Sequence, residues 1–391
     1  MRVNLCAASS KRLLQAGSLV FLYLAFIAII GISSFPLWDG YNRLMDFGSF
    51  YASGLKAHNG ENPYDPNSEY IFEIVFPDVG AGGRMMNLNP PISVVVFRFL
   101  ANIDPYRALF VWQVTSAVLY ALAIILLASA YRNHLTPTLL FWAFTLAGFW
   151  HTLTLGQVYI LLFFLTAAGW VLLQKEKYIF AGIIIGLVVA IKPNFGLWVV
   201  FLLVAGYYKT SIASAITFLT VSVIPVIPYG TEIYSQWLAA SSTPRETLIM
   251  PGNNSILGLT ARFGDFWVGV ALSILLVFVL LALTKKLATK SMEKFEWVSA
   301  LGLIASLLAS PISWTGYTIL LLPIFFSLRQ WTFPIKLSAA ILSIPFGFVL
   351  QNFQTSLLNF VLFGWLYGWA ILLLLFVVVT KTIRTRSIQT N

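Results

Sequence analysis

Long apolar runs alternate with short polar connections along almost the whole chain. Twelve of these runs read as membrane spans: 13–32, 105–130, 137–151, 157–173, 178–191, 194–208, 211–228, 266–284, 297–309, 313–328, 337–350 and 356–380. Several are shorter than the roughly 20 residues a straight span requires, so neighbouring turns would complete them. Short segments of strict apolar–polar alternation are missing, which excludes a transmembrane β-barrel. The expected fold is all-α: a polytopic helical membrane protein forming one integral-membrane domain over 1–391. The first run is about as long as a span needs, and "GISSFPLW" after it is a poor cleavage site, so it reads as an uncleaved anchor.

Two polar stretches interrupt the pattern, at 33–104 and 229–265. The first contains "LMDFGSFYASGLKAHNGENPYD" (44–65), where Phe47, Phe50, Tyr51, Leu55 and His58 recur at helical steps. That spacing predicts an amphipathic helix over 46–59 lying on the membrane surface, closed by Asn59-Gly60. "PPISVVVFRFLANI" (90–103) starts a helix with proline. "TEIYSQWLAASS" (231–242) and "NSILGLTARFG" (254–264) predict two further surface or re-entrant helices. "GAGGR" (80–84) has the glycines of a phosphate loop without the strand–turn–helix setting, and reads as a flexible part of the first loop.

Composition narrows the class further. Of 391 residues, 59% are hydrophobic and 10% charged, against about a quarter charged in soluble domains. The formal charge of +10 could suggest nucleic acid in a soluble protein. Here it follows membrane topology, and no nucleic-acid partner is implied. With the N-terminus in the cytoplasm, the inward segments hold 16 of the 24 Lys and Arg. They hold only Glu176, Glu293 and Glu296 of the 14 acids. The bias fits the positive-inside rule, with both termini cytoplasmic and the large loops outside. One cysteine, Cys6, excludes an internal disulfide and a cysteine-based metal cluster. Arg107, His151 and Lys192 lie at span ends and the mid-depths are almost free of ionisable residues, which argues against an ion-coupled transporter.

Several segments, taken in order, resemble glycosyltransferase family 87, whose members are polyprenyl-phosphate-sugar-dependent transferases of the GT-C type. In the first loop the match rests on Asp46, Tyr51, Ala52, Gly60 and Tyr64. It continues through "LNPPISVVVFRFL", "LGQVYILLFFL", "AGIIIGLVVAIKPNFGL", "GNNSILGLTARF" and "SPISWTGYTILLLP", spanning roughly 45–325. Many members carry a histidine pair after Ser-Pro-x-Ser-Trp, where this chain has Thr315, Gly316 and Tyr317. The resemblance implies transfer of a sugar, mannose or alternatively arabinofuranose, from a polyprenyl-phosphate donor to a lipid or glycan acceptor. The reaction would run with inversion on the outer face of a bacterial inner membrane, with no cofactor and no metal. A lipid or glycan transporter or flippase and a non-catalytic envelope-assembly scaffold are the competing classes.

That chemistry needs a carboxylate to take the acceptor proton and cations to receive the departing phosphate. Asp46 is the candidate base; its plainer reading is the N-cap of the 46–59 helix. Asp65, in the turn-rich "NPYDPN", and Asp39 suit the role less. Lys192 and Arg262 are candidates for donor phosphate, or else a snorkelling lysine and a lipid head-group contact. Asn89, Gln157, Asn254, Ser255 and Ser313 could bond sugar hydroxyls, or serve as caps. Tyr51, Tyr64 and Trp314 could stack on a sugar face, or sit in the interfacial belt. His58 reads as a packed histidine, His134 and His151 carry no assigned role, and Asn253-Asn254-Ser255 is a formal glycosylation sequon.

Overall fold

A computed structural model describes residues 44–76, 81–242, 245–287, 294–353 and 356–389. Among the described residues the regular structure is helical apart from one two-stranded antiparallel hairpin, Glu73–Phe76 with Ala81–Arg84. Among the described residues five helices are long and apolar enough to cross a membrane: Pro105–Ala130, Pro137–Leu155, Tyr208–Tyr229, Phe266–Lys286 and Leu366–Ile383. Counting Phe333–Leu342 and Phe346–Asn352, bent by 81°, as one span makes six. Twelve spans are therefore not reached among the described residues, and 13–32 lies outside them. Tyr159–Gln174, Tyr178–Ile191, Pro193–Val204, Phe295–Leu308 and Thr315–Ser327 are apolar helices of 10–17 residues. At about 1.5 Å per residue they fall short of a hydrocarbon core of about 30 Å. Protein encloses part of them, with Trp170, Trp198 and Phe201 fully enclosed, while Ile179, Phe180, Ile183, Val200 and Leu203 stay exposed. An apolar run signals burial without saying whether lipid or protein does the burying.

Small residues allow these helices to approach closely. Gly182 and Gly186 set Tyr178–Ile191 against the backbone of Thr210 and Ser214 on Tyr208–Val223. Ser214 Oγ donates to Gly182 O at 3.0 Å.

The first-loop helix departs from expectation. Met45–His58 is not a surface helix, because Phe47, Phe50, Tyr51, Ala52, Ser53, Gly54 and Lys56 are all buried. It lies against Ile92–Arg98 within the main core. Phe50 stacks on Phe97 at 4.9 Å, and Phe97 meets Trp112 at 5.0 Å. Only the end is exposed, so His58 is not packed as expected. Lys56 is held by an ion pair with Asp65, and that bond holds the Asp65 carboxyl below its ordinary range. "GAGGR" is likewise not a free loop, since Ala81–Arg84 forms the second strand of the hairpin.

A Cβ at Gly54 would lie 2.5 Å from Phe97 O and 2.6 Å from its carbonyl carbon. Neither atom can move without shifting the Ile92–Arg98 helix. Gly54→Ala is therefore expected to destabilise the protein by about 1–3 kcal/mol despite its helix propensity, read as a lower melting temperature in detergent. An unchanged melting temperature would refute this packing.

Candidate functional site

A cavity of roughly 700 Å³ opens where the polar segments converge. Its walls come from the first loop (Met45, Asp46, Ser49, Phe50 and Gly83–Pro90), the second loop (Trp237–Ser242 and Thr247–Gly252) and the connections holding His151, Gln157, Lys192, Asn194, Ser310–Ile312, Trp314 and Thr315. Phe346 and Leu350, on Phe346–Asn352, complete the lining. All of these segments, or the helix ends beside them, fall on the side that charge alternation assigns to the outer face.

Asp46 lines this cavity and is half-buried. It is not the N-cap; that position is Leu44, which makes no side-chain cap bond. The Asp46 carboxylate instead accepts a hydrogen bond from Gln157 Nε2 at 2.5 Å, across 111 residues of chain. Two backbone features aim this pair. Met45 holds φ 48, an unusual conformation for a methionine, directly before the acid. Gly156, φ 67, ends the Ala147–Leu155 helix in the left-handed cap that presents Gln157. A Cβ on Gly156 would lie 2.7 Å from Phe47 Cβ, so glycine also lets the Asp46 helix pack there. Burial pushes the Asp46 carboxyl up to about 6, while the Gln157 bond and the positive charge of Lys192 pull it down.

Lys192 caps the C-terminus of Tyr178–Ile191, where the helix dipole favours a cation. Its Nζ stands 5.7 Å from the ring centroids of both Tyr159 and Tyr317, which pack against each other at 4.2 Å. The aromatic faces hold the ammonium at the cavity wall. Arg84 lines the same cavity at the end of its strand and donates to Pro66 O at 2.9 Å. Two cations thus share the cavity with one carboxylate, a balance suited to an anionic ligand.

Of the residues singled out in the sequence, Asp46, Asn89, Gln157, Lys192 and Trp314 meet in the cavity lining. The others lie outside it, in supporting positions. Tyr64 OH donates to Asn89 O at 2.8 Å, and Asn87 Oδ1 accepts from Asn89 N at 3.0 Å. Together they fix Asn89 while leaving its Oδ1 buried without a partner. Tyr51 is packed, its hydroxyl donating to Ile103 O at 2.9 Å. Arg262 is buried and gives its guanidinium to the carbonyls of Ile249, Met250 and Asn253. Ser255 caps Ile256–Arg262 by accepting from Gly258 N at 2.9 Å. Asn254 Nδ2 donates to Gly252 O at 2.8 Å, and its backbone N donates to Ser313 O at 2.7 Å. Ser313 is enclosed, with its Oγ unpartnered.

Asn253, the first residue of the sequon, is fully enclosed. Its Oδ1 accepts from Ser255 N and Ser313 N, and its Nδ2 donates to Leu248 O and Pro311 O. It therefore ties the second loop to the 310–314 segment. Sequence reasoning missed Arg84, His151, Thr315, Tyr317 and Phe346 as cavity residues. The local signals were "GAGGR", which ends in Arg84, and the segment after Ser-Pro-x-Ser-Trp, which holds Thr315 and Tyr317.

The model of glycosyltransferase family 87 matches residues 87–311, more than half of the chain. No curated protein and no solved structure matches it.

Replacing Arg262 by Met would take the guanidinium donor from the carbonyls of Ile249, Met250 and Asn253, of which Met250 O keeps Asn253 N, at about 1–3 kcal/mol for each group left unsatisfied. The expected result is a clear drop in thermal stability in detergent. A variant as stable as the parent would show that the guanidinium does not hold the 249–253 segment.

Proposed function

This chain belongs to glycosyltransferase family 87 and is a glycosyltransferase among apolar helices, and from that premise we propose that it moves a sugar, mannose in the leading case, from a polyprenyl-phosphate donor to a lipid or glycan acceptor. The reaction takes place in the cavity around Asp46, on the outer face of the membrane, with inversion at the anomeric carbon. The observation that carries this reading is the Asp46–Gln157 pair in a cavity it shares with Lys192.

The step balances with these groups. The acceptor hydroxyl gives its proton to an Asp46 carboxylate oxygen as its own oxygen bonds to the anomeric carbon. The bond from that carbon to the phosphate oxygen breaks on the opposite face, and the phosphate leaves with the electron pair. Lys192, with Arg84 at the cavity edge, receives the added negative charge. Gln157 fixes the carboxylate and favours its charged form, the form a base requires. The convergence of the predicted outward segments on one cavity supports the outer-face assignment. The apolar helices around it provide a route for a lipid-linked donor arriving from the bilayer.

The test uses purified protein, polyprenyl-phosphate-mannose labelled in the sugar, and a lipid extract of the source membrane. Asp46→Asn is expected to reduce transfer by about 10²–10⁴-fold at unchanged protein level. A variant turning over like the parent would remove Asp46 from the base role. If the parent is silent with mannose, arabinofuranose and other polyprenyl-phosphate sugars, the donor assignment falls.

The pH profile tests the same group. Its raised pKa means that the base form is lost as pH falls through about 6, so transfer should rise with pH across that value. Gln157→Ala removes a bond that lowers the pKa, and the rising limb should move to higher pH. A limb that stays in place would separate Gln157 from the titrating group.

A further inference from the structure

The cavity contains a second cluster of polar atoms that the reaction above does not use. His151 lies on Ala147–Leu155, lines the cavity and is 7% exposed. Its Nδ1 is buried without a hydrogen-bond partner. Thr315, fully enclosed, also lines the cavity, and its Oγ1 is likewise unpartnered. An unsatisfied buried polar atom costs about 1–3 kcal/mol, and folded proteins rarely keep one without a reason. Here two occur in the lining of a single cavity.

Phe346 links them. The His151 ring meets Phe346 edge-on at 4.5 Å. Gly252, φ 82, lies between Phe346 and Thr315: a Cβ there would be 2.7 Å from the Phe346 ring and 2.8 Å from Thr315 Oγ1. Glycine at 252 therefore leaves room beside the threonine hydroxyl. Trp314, the residue before Thr315, also lines the cavity and is half-buried. Hydrogen-bonding groups next to aromatic faces in a concave wall match the chemistry of a sugar ring, with hydroxyls at its rim and C–H groups on its faces.

We propose that His151 and Thr315, with Phe346 and Trp314 as the apolar wall, form a sugar-hydroxyl subsite that selects the glycan part of a substrate. This inference rests on the glycosyltransferase reading above. The ring it holds is either the transferred sugar of the donor or a sugar of the acceptor, and the experiment distinguishes these.

Thr315→Val and His151→Leu replace unpartnered polar groups with apolar ones of similar size. If the two residues are structural only, both variants should be at least as stable as the parent and equally active, because an unsatisfied atom has been removed. With the subsite, stability is kept while kcat/KM for transfer falls about tenfold or more, corresponding to roughly 1.4 kcal/mol for a lost hydrogen bond. Binding of polyprenyl-phosphate-mannose is then measured without acceptor. Weakened binding identifies the transferred sugar as the ligand, and deoxy-mannose donors should remove the penalty at one hydroxyl position. Unchanged donor binding with a raised KM for acceptor identifies the acceptor sugar. Parent-like kcat/KM in both variants overturns the subsite while leaving the glycosyltransferase reading intact. A variant that fails to fold is replaced by Thr315→Ser, which retains the hydroxyl and should restore activity; failure of that rescue in folded protein also overturns it. A parent inactive on every polyprenyl-phosphate sugar brings down the donor reading and the subsite together.

Discussion

A carboxylate set into a mostly apolar wall must be held, or it will protonate. In this protein the hold is the hydrogen bond from Gln157 to Asp46, helped by the positive charge of Lys192. Much of the surrounding architecture serves that contact. The Asp46 helix can lie where it does because Gly54 lets it touch the Phe97 backbone and Gly156 leaves room for its Phe47. The same Gly156 turns the chain so that Gln157 faces the acid. Burial raises the pKa of the acid and the two partners lower it, leaving the group near 6, within the range where a base works close to neutral pH.

The opposite wall is maintained by backbone hydrogen bonds. Asn253 and Arg262 act as connectors: one joins the second loop to the 310–314 segment, the other gathers the carbonyls of 249–253. Both are polar and fully engaged, so they fix the shape of the cavity without entering it. Asn89, Gln157, His151 and Thr315 differ in that each lines the cavity and keeps one unpartnered polar atom. Unpartnered atoms of this kind at the cavity lining are places where ligand groups can complete the bonding.

Much of the class was legible in the sequence. Apolar runs and low charge content give a helical membrane protein, because only structures that satisfy their own backbone can sit in lipid. Pro105–Ala130 matches the expected 105–130 span, since length and capping at Asp104 are local properties. The ordered motifs pointed to the glycosyltransferase family, and among them Asp46, Gln157 and Lys192 lie on one cavity. Span count and the surface placement of the 46–59 helix were not legible. Both depend on whether an apolar face meets lipid or protein, and hydropathy is the same in either case.

The sequence by itself determined which segments are apolar enough to be buried, where helices start and stop, and which residue types could do the chemistry. Tertiary structure decided which of those residues meet. Arg262 and Lys192 are both cations in segments predicted to face outward, yet one is enclosed by carbonyls and the other stands over two tyrosines at the cavity. Asp46 and Gln157 are 111 residues apart, and His151 and Thr315 come from different helical segments. Their encounters arise from helix packing through glycine contacts and long-range hydrogen bonds, neither of which leaves a local signature in the chain.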